Sequence, residues 1–109
     1  MTITYDDAPS TGKRKGTQMV GSNLVFYSGT WDANTTATGT IDLTSTTNVP
    51  VAAVTVMSAI VWNEEVVSEC PTWKKDVDGA GAAAAGKIGI LAVADNANNT
   101  GFWEAWCVI

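Results

Sequence analysis

The 109-residue sequence contains no histidine, only two cysteines and only three leucines. Without histidine, Ser-His and Cys-His nucleophile pairs and histidine metal sites are excluded. Two thiols are too few for a four-thiolate zinc site within one chain. These absences exclude the commonest catalytic and metal-binding arrangements, and we therefore expect a non-enzymatic protein that needs no cofactor.

Positive charge is also scarce, because 6 lysines and arginines stand against 11 aspartates and glutamates and give a net charge of -5. Three of the cations are consecutive, at Lys13, Arg14 and Lys15, so the rest of the chain is more acidic still. An acidic surface repels a phosphate backbone, and we expect no direct contact with nucleic acid. The longest uncharged stretch, residues 43–63, is polar in its first half and too short in its apolar half to cross a bilayer, so we expect no membrane partner.

β-branched residues are abundant: valine, isoleucine and threonine supply 12, 6 and 15 of the 109 residues. Such side chains suit the pleated, half-buried surface of a sheet and lose rotamer freedom in a helix. A chain of this length is expected to form one domain. The composition therefore predicts a single all-β domain.

Turn-rich segments divide this domain into five or six main strands. Apolar alternation and two-sided apolar runs predict strands over residues 23–31, 40–44, 51–62, 73–77, 87–94 and 101–109. We expect the first two to form a hairpin, residues 78–86 to form a Gly/Ala loop, and residues 63–71 to form a turn of helix or an acidic loop. Short strands at this spacing are typical of a β-sandwich or a small β-barrel.

The apolar run at residues 51–62 carries large side chains on both faces, which predicts a central strand or a strand beneath a subunit interface. Alternation places Val54, Val56, Ile60 and Trp62 on one face and Val51, Met57 and Val61 on the other. A two-layer domain covers only one face of each sheet. We therefore expect a homo-oligomer, most simply a trimer, that hides the remaining apolar surface.

Residues 1–19 have a different composition, with few large apolar side chains and the basic run at Lys13, Arg14 and Lys15. Such a stretch buries too little surface to fold by itself. We expect an extended N-terminal arm over residues 1–19, followed by the β domain over residues 20–109. The three cations are candidate rim contacts to an acidic neighbouring subunit, with a solubilising role as the alternative.

The two cysteines leave two possibilities open. Cys70 and Cys107 are far apart in the sequence and form no metal-binding motif. A single disulfide would join them, whereas two buried thiols would behave as small apolar residues. The apolar sequence around Cys107 favours the buried-thiol interpretation.

Two groups of acidic residues invite a functional interpretation but fit a structural one better. Asp76, Asp78 and Gly79 resemble the start of a calcium loop, yet the twelfth position is Lys87 rather than a bidentate glutamate, so a turn is predicted. The second group could supply a catalytic pair of carboxylates, but no partner across a cleft is indicated. We expect a solvated face from this group, which comprises Glu64, Glu65 and Glu69.

Five tryptophans are the most unusual feature of the composition. Aromatic side chains fill cores, dominate interface hot spots and, when exposed, stack on sugars. We predict that Trp31, Trp62 and Trp106 lie at or near a subunit interface. Trp73, next to two lysines, is predicted to be the exposed tryptophan and a candidate platform for a glycan.

Two runs carry a resemblance to a known class of proteins: GTWDANTTATGTIDLTSTTNVPVAAVTVMSAIV and GKIGILAVADNANNTGFWEAWCVI. In layout they resemble small structural proteins of tailed bacteriophages, in which a Thr/Ala-rich body with a GTIDL-type strand precedes an apolar strand, a Gly-rich loop and a C-terminal hairpin. The resemblance covers about residues 29–109. It implies a β-sandwich or β-barrel subunit, often trimeric, that decorates a capsid or forms part of a tail or fibre. No motif carries functional residues across.

The sequence thus leads to two functional hypotheses. The first is a viral structural protein, namely a head decoration or cement subunit on the capsid surface of the virion, whose partners are its own copies and the major capsid protein or other virion proteins. The alternative is a carbohydrate- or receptor-binding module associated with a tail or fibre.

Overall fold

The structure, a computed structural model, describes residues 1–9, 18–19, 23–64, 70–94, 97 and 99–109. Among these residues there is no helix, and the predicted all-β class is confirmed. The strands are β1 (Thr2–Tyr5), β2 (Gln18–Met19), β3 (Leu24–Asp32), β4 (Gly39–Asp42), β5 (Thr55–Asn63), β6 (Thr72–Val77), β7 (Ala83–Ala92) and β8 (Thr100–Val108).

The strands form two antiparallel sheets that pack face to face as a sandwich. The larger sheet has the order β1-β3-β8-β5, and the short β2 also pairs with β3; the smaller sheet has the order β4-β7-β6. Alternation buries one face of each sheet, as expected for antiparallel layers. The core between them contains Val25, Tyr27, Trp31, Ala33, Ile41, Leu43, Val49, Ala53, Val56, Val61, Ile88, Ile90, Val93, Trp103, Ala105 and Cys107.

The predicted hairpin between residues 23–31 and 40–44 is wrong. β3 pairs with β1, β2 and β8, whereas β4 pairs with β7 in the other sheet. The alternating side chains Ile41 and Leu43 face the core. The alternation of apolar residues specifies which face of a strand is buried, but it does not identify the strand's neighbour.

The predicted faces of residues 51–62 are also wrong in part. A β-bulge interrupts the pairing of β5 with β8 between Val56 and Ser58, and the extra residue is Met57. Because a bulge shifts the phase of alternation by one residue, Val56 and Val61 both face the core, whereas Met57 and Ile60 are exposed. β5 is an edge strand of the larger sheet, not a central one.

The loop predicted over residues 78–86 is shorter than expected, because β7 begins at Ala83. The turn is fixed by the Asp78 carboxylate, whose Oδ1 accepts the backbone N–H groups of Ala80 at 2.9 Å and Ala82 at 3.0 Å. Gly81 has a φ of 84°, which favours glycine. The strand predicted over residues 73–77 is confirmed as β6, which lies at the edge of the smaller sheet.

Side chains close both lateral openings of the sandwich. At one side, Tyr5 of β1 accepts the backbone N–H of Asp42 of β4 at 2.9 Å. At the other, Asp76 Oδ1 accepts the N–H of Val56 at 3.0 Å, and the Lys75 ammonium donates to the Val56 carbonyl at 3.1 Å. The two sheets are therefore joined by hydrogen bonds as well as by the core.

Two tryptophans lie over glycines of the neighbouring strand in the centre of the larger sheet. Gly29 pairs with Trp103, and Trp31 pairs with Gly101, across β3 and β8. A Cβ atom added at Gly101 would lie 2.6 Å from Trp31 Nε1, and one added at Gly29 would lie 2.7 Å from the Trp103 ring. Each indole N–H donates a hydrogen bond to the strand beyond its glycine partner. The Trp31 N–H donates to the Trp62 carbonyl of β5 at 3.1 Å, and the Trp103 N–H donates to the Thr4 carbonyl of β1 at 3.1 Å.

Within the predicted N-terminal arm, the structure describes residues 1–9 and 18–19, and both pieces pair with β3. Ile3 and Tyr5 pack against the core. Lys13, Arg14 and Lys15 lie outside the described residues, as does most of the predicted helical turn, residues 65–69.

Candidate functional site

The outer face of the larger sheet carries an aromatic surface. Phe26 of β3, Trp62 of β5, and Phe102 and Trp106 of β8 point away from the core because they alternate with buried residues of the same strands; these four residues are called the aromatic face below. Their rings form two cross-strand pairs, Phe26 with Trp106 at a centroid distance of 5.1 Å and Trp62 with Phe102 at 5.5 Å.

Glu104 lies between these two pairs. It is half-buried, and its neighbours across the strands are Ser28 of β3 and Ile60 of β5. A shallow depression of about 170 Å³ opens beside it, lined by Ser58, Ala59, Ile60, Glu104 and Trp106. Glu104 makes no hydrogen bond or ion pair with the described residues, and the hydroxyl of its cross-strand neighbour Ser28 donates to Asp6 at 2.8 Å.

Exposed aliphatic side chains lie along β5 and the segment that leads into it, and one of them, Ile60, lies beside Glu104 and Trp106. Val51, Val54, Met57 and Ile60 lie on β5 or on the segment that leads into it, and are between 46% and 59% exposed; we call them the β5 ridge. Phe102 and Trp106 are each 37% exposed. These six are the exposed large apolar side chains of the described residues, and all of them belong to the β5 ridge or the aromatic face.

Charge is distributed unevenly over the molecule. The outer face of the larger sheet carries Asp32, Glu64 and Glu104, with no lysine or arginine among its described residues. The described cations lie on β6 and β7 of the smaller sheet. Lys87 approaches Asp42 at 3.7 Å, and Lys75 approaches Asp76 at 3.9 Å.

The structure separates the predicted interface tryptophans. Trp62 and Trp106 belong to the aromatic face, whereas Trp31 is 1% exposed and fills the core, so the Trp31 ring is not accessible to a partner. Trp73 is half-buried against the core and is not the exposed tryptophan that was predicted. The exposed tryptophan among the described residues is Trp106.

The described part of the chain contains no cluster of metal-ligating side chains. No group of three or more Cys, Asp or Glu side chains lies close enough there to hold a metal ion. Asp76 and Asp78 accept backbone N–H groups and fix the β6–β7 hairpin. Within the same residues, no helix is long and apolar enough to span a bilayer.

The two cysteines are not bonded to each other: Cys107 is buried and Cys70 is exposed. Burial raises the pKa of the Cys107 thiol to about 12, with a smaller contribution from the charge of Asp76. The prediction of a buried thiol is thus confirmed for Cys107 and wrong for Cys70.

Sequence reasoning identified the aromatic residues but missed how they group. The grouping depends on the order β3-β8-β5, which brings Phe26 opposite Trp106 and Phe102 opposite Trp62. A usable signal was the shared Gly-x-Trp pattern at residues 29–31 and 101–103, which is consistent with two strands that pair antiparallel.

No family model matches the chain, and neither a curated protein nor a solved structure matches it.

Proposed function

We propose that this chain is a non-catalytic structural subunit of a viral particle, of the kind that decorates or cements the head. The observation that supports the proposal is the uneven distribution of exposed apolar side chains. Among the described residues, all the large ones belong to the β5 ridge or the aromatic face. Single apolar residues scattered over a surface need no explanation, whereas a contiguous patch indicates a contact surface.

The flat area of this sheet face, before side chains and the β5 ridge are added, is about half of what a standard protein contact buries on one partner. β3, β5 and β8 are each nine residues long, so their shared outer face measures about 30 Å by 10–15 Å before side chains are added. A standard interface buries about 800 Å² per partner. That is roughly one-seventh of the 5515 Å² of accessible surface of the chain.

The proposed contact joins copies of the chain into a homo-oligomer, most simply a trimer, which in turn binds the major capsid protein or another virion protein. Rigid strands supply the contact residues, so binding orders few side chains and loses little conformational entropy. Repetition around a shell then multiplies contacts that are individually weak. Small size and the lack of a catalytic set in the described residues are compatible with this role.

The oligomer is tested by light scattering of the full chain at micromolar concentration. We expect three times the 11.4 kDa mass of one chain. Replacing Val54 and Met57 together by glutamine removes apolar area from the β5 ridge and should give monomers. The control replaces two exposed residues of the smaller sheet and its turn, Thr72 and Ala80, by glutamine and should leave the oligomer intact. A wild-type chain that stays monomeric would contradict the proposed oligomer.

Location in a particle is tested separately. Quantitative mass spectrometry of purified virions that carry this chain should find many copies per particle. Absence of the chain, or only a few copies, would contradict a decoration or cement role.

A glycan-binding module is the second candidate, and the exposure of Trp106 beside the polar groups of Glu104 and Ser58 favours it. Pyranose rings stack on such indoles through their C–H faces, while carboxylates and hydroxyls bind their hydroxyl groups. A glycan array should then show binding that Trp106→Ala abolishes and Trp73→Ala preserves. An array without binding would eliminate this candidate.

A further inference from the structure

We infer that the depression beside Glu104 and Trp106 binds an arginine side chain of the protein that packs on this face. The inference rests on the proposed function, because it names the chemistry of the partner in that contact. Nothing else in the described part of the chain is directed at Glu104: its carboxylate has neither a hydrogen bond nor an ion pair there.

Covering the aromatic face with an apolar partner would remove water from Glu104. A carboxylate that loses water without gaining a cation or hydrogen bonds is strongly destabilising. The described residues of the face offer no cation, and the lysines of the smaller sheet that approach carboxylates, Lys75 and Lys87, do so on β6 and β7. A partner that covers the face must therefore bring a cation or hydrogen-bond donors to Glu104, and an arginine side chain supplies both.

The surroundings of Glu104 match a guanidinium group better than an ammonium group. Phe102 and Trp106 lie two residues to either side on the same face of β8, so aromatic rings flank the carboxylate at about 7 Å along the strand. A guanidinium is planar, stacks on indole and binds a carboxylate through two parallel N–H groups. The depression of about 170 Å³ is below the usual size of a small-molecule pocket and suits the end of one side chain.

Other occupants fit the charges less well. Anionic ligands would meet Asp32, Glu64 and Glu104 with no described cation to balance them. A copy of the chain that packed with the same face across a two-fold axis would bring a second set of acidic side chains and no described cation to Glu104, and like charges in a desolvated contact are unfavourable. Charge complementarity therefore selects a partner surface with an arginine.

The test is a nuclear magnetic resonance titration that observes the indole N–H signals of the tryptophans. The protein is the Val54→Gln, Met57→Gln chain, in which the face is free of a neighbour, and the probe is a capped five-residue peptide with a central arginine between glycines and threonines. We expect a saturable shift of the Trp106 signal at millimolar peptide. The signals of Trp31 and Trp103, whose N–H groups are bonded inside the protein, should not move and thus confirm that the fold is intact.

Three comparisons decide the outcome. A peptide with citrulline, the neutral analogue of arginine, should bind at least tenfold more weakly, and a lysine peptide should fall between the two. Glu104→Gln should weaken the arginine peptide about tenfold, whereas Glu64→Gln, which removes the same charge from the same face, should change the affinity less than twofold. Equal binding of the citrulline peptide, or an unchanged affinity in Glu104→Gln, would overturn the inference.

The titration also separates this inference from the proposed function. A trimer that forms normally while the peptide fails to bind would overturn the arginine site alone. A monomeric wild-type chain that binds the peptide would instead contradict the oligomer. A shift of Trp106 with a neutral sugar and none with the arginine peptide would overturn the inference in favour of a glycan.

Discussion

Asp76 combines an unusual backbone conformation with two hydrogen bonds. Its φ is 57°, in the left-handed region that aspartate tolerates better than most residues. Its Oδ1 accepts the backbone N–H groups of Val56 at 3.0 Å and Gly86 at 2.9 Å. Because Val56 belongs to the larger sheet and Asp76 to the smaller one, this single carboxylate helps to hold the two layers together.

We expect Asp76→Ala to lower the free energy of unfolding by about 2–4 kcal/mol, since two backbone donors lose a charged acceptor. Asp76→Asn should lose about half as much, because its amide oxygen can still accept both N–H groups at the position of Oδ1 but carries no charge. The control is Asp78→Ala, which also removes an acceptor of two N–H groups but in an exposed turn, and it should cost about 1 kcal/mol. Equal losses in the two alanine variants, measured by denaturant unfolding, would contradict the sheet-joining role.

The two cysteines should differ sharply in reactivity. Cys70 is exposed, whereas burial raises the pKa of Cys107 to about 12, which leaves almost no thiolate at pH 8. A thiol reagent at pH 8 should therefore label one thiol per native chain and two per unfolded chain. Cys70→Ser should leave no rapidly labelled thiol in the native state; rapid labelling of that variant would show that Cys107 is accessible.

At the scale of strands, the paired Gly-x-Trp segments fix how β3 and β8 meet. Each indole covers the glycine opposite to it and donates its N–H to the next strand outward, so one pattern links β1, β3, β8 and β5. Aromatic residues opposite glycine compensate for the missing side chain of a strand glycine. The order of the larger sheet depends on these two pairs.

We expect Gly101→Ala to destabilise the fold by about 2–3 kcal/mol, because the new methyl group would meet the Trp62 carbonyl oxygen and the Trp31 ring. The Trp31 indole N–H should then exchange with solvent faster than in the wild type. Gly81→Ala is the matched control: it has open space around it and a φ of 84°, so only the backbone penalty of about 1 kcal/mol remains. A Gly101 variant no less stable than the Gly81 variant would contradict close packing at Gly101.

The sequence predicted strand positions well and strand partners poorly, and the reason is physical. Alternation reports which side chains of a strand share a face, and in β3 and β8 the face that contains Tyr27 and Trp103 is the buried one. Pairing is decided by contacts between distant segments, so β4 was assigned to the wrong neighbour. The bulge at Met57 carries no local signature, and it moved Ile60 from a predicted shared face with Val56 to the surface.

The candidate site was predictable only in its components. Aromatic abundance pointed to Trp62 and Trp106, but the central position of Glu104 depends on the register of three strands. Trp73 looked exposed because two lysines follow it in the sequence. In the structure Lys75 turns toward the Val56 carbonyl and the Trp73 ring packs on the core.

On the scale of the whole molecule, the sandwich has two unlike outer surfaces. The larger sheet presents aromatic, aliphatic and acidic side chains, whereas the described lysines lie on the smaller sheet. Side chains that bridge from one sheet to the other close the openings at both sides. The two sheets are therefore held at a fixed separation.

The Tyr5 bridge makes this closure sensitive to alkaline pH. Burial raises the pKa of Tyr5 to about 12. Two smaller effects act on the same pKa: the hydrogen bond from the Asp42 backbone lowers it, and the nearby charge of Asp42 raises it. Because the folded chain holds this proton more tightly than the unfolded chain, whose tyrosine pKa is about 10, Tyr5 contributes its full stability below pH 10. That contribution is lost as the pH rises from about 10 to about 12.

Tyr5→Phe isolates the effect, since the other two groups whose pKa burial raises, Tyr27 and Cys107, remain in both proteins. At pH 7 the wild type should be more stable by about 1 kcal/mol, because it keeps the hydrogen bond to the Asp42 N–H. Ionisation of Tyr5 in the unfolded state should then remove up to about 2–3 kcal/mol from the wild type alone. Denaturant unfolding at pH 7, 9 and 11 should therefore show the difference shrinking above pH 10 and reversing near pH 11. A difference that stays constant with pH would mean that the Tyr5 hydroxyl is not buried in the opening between β1 and β4.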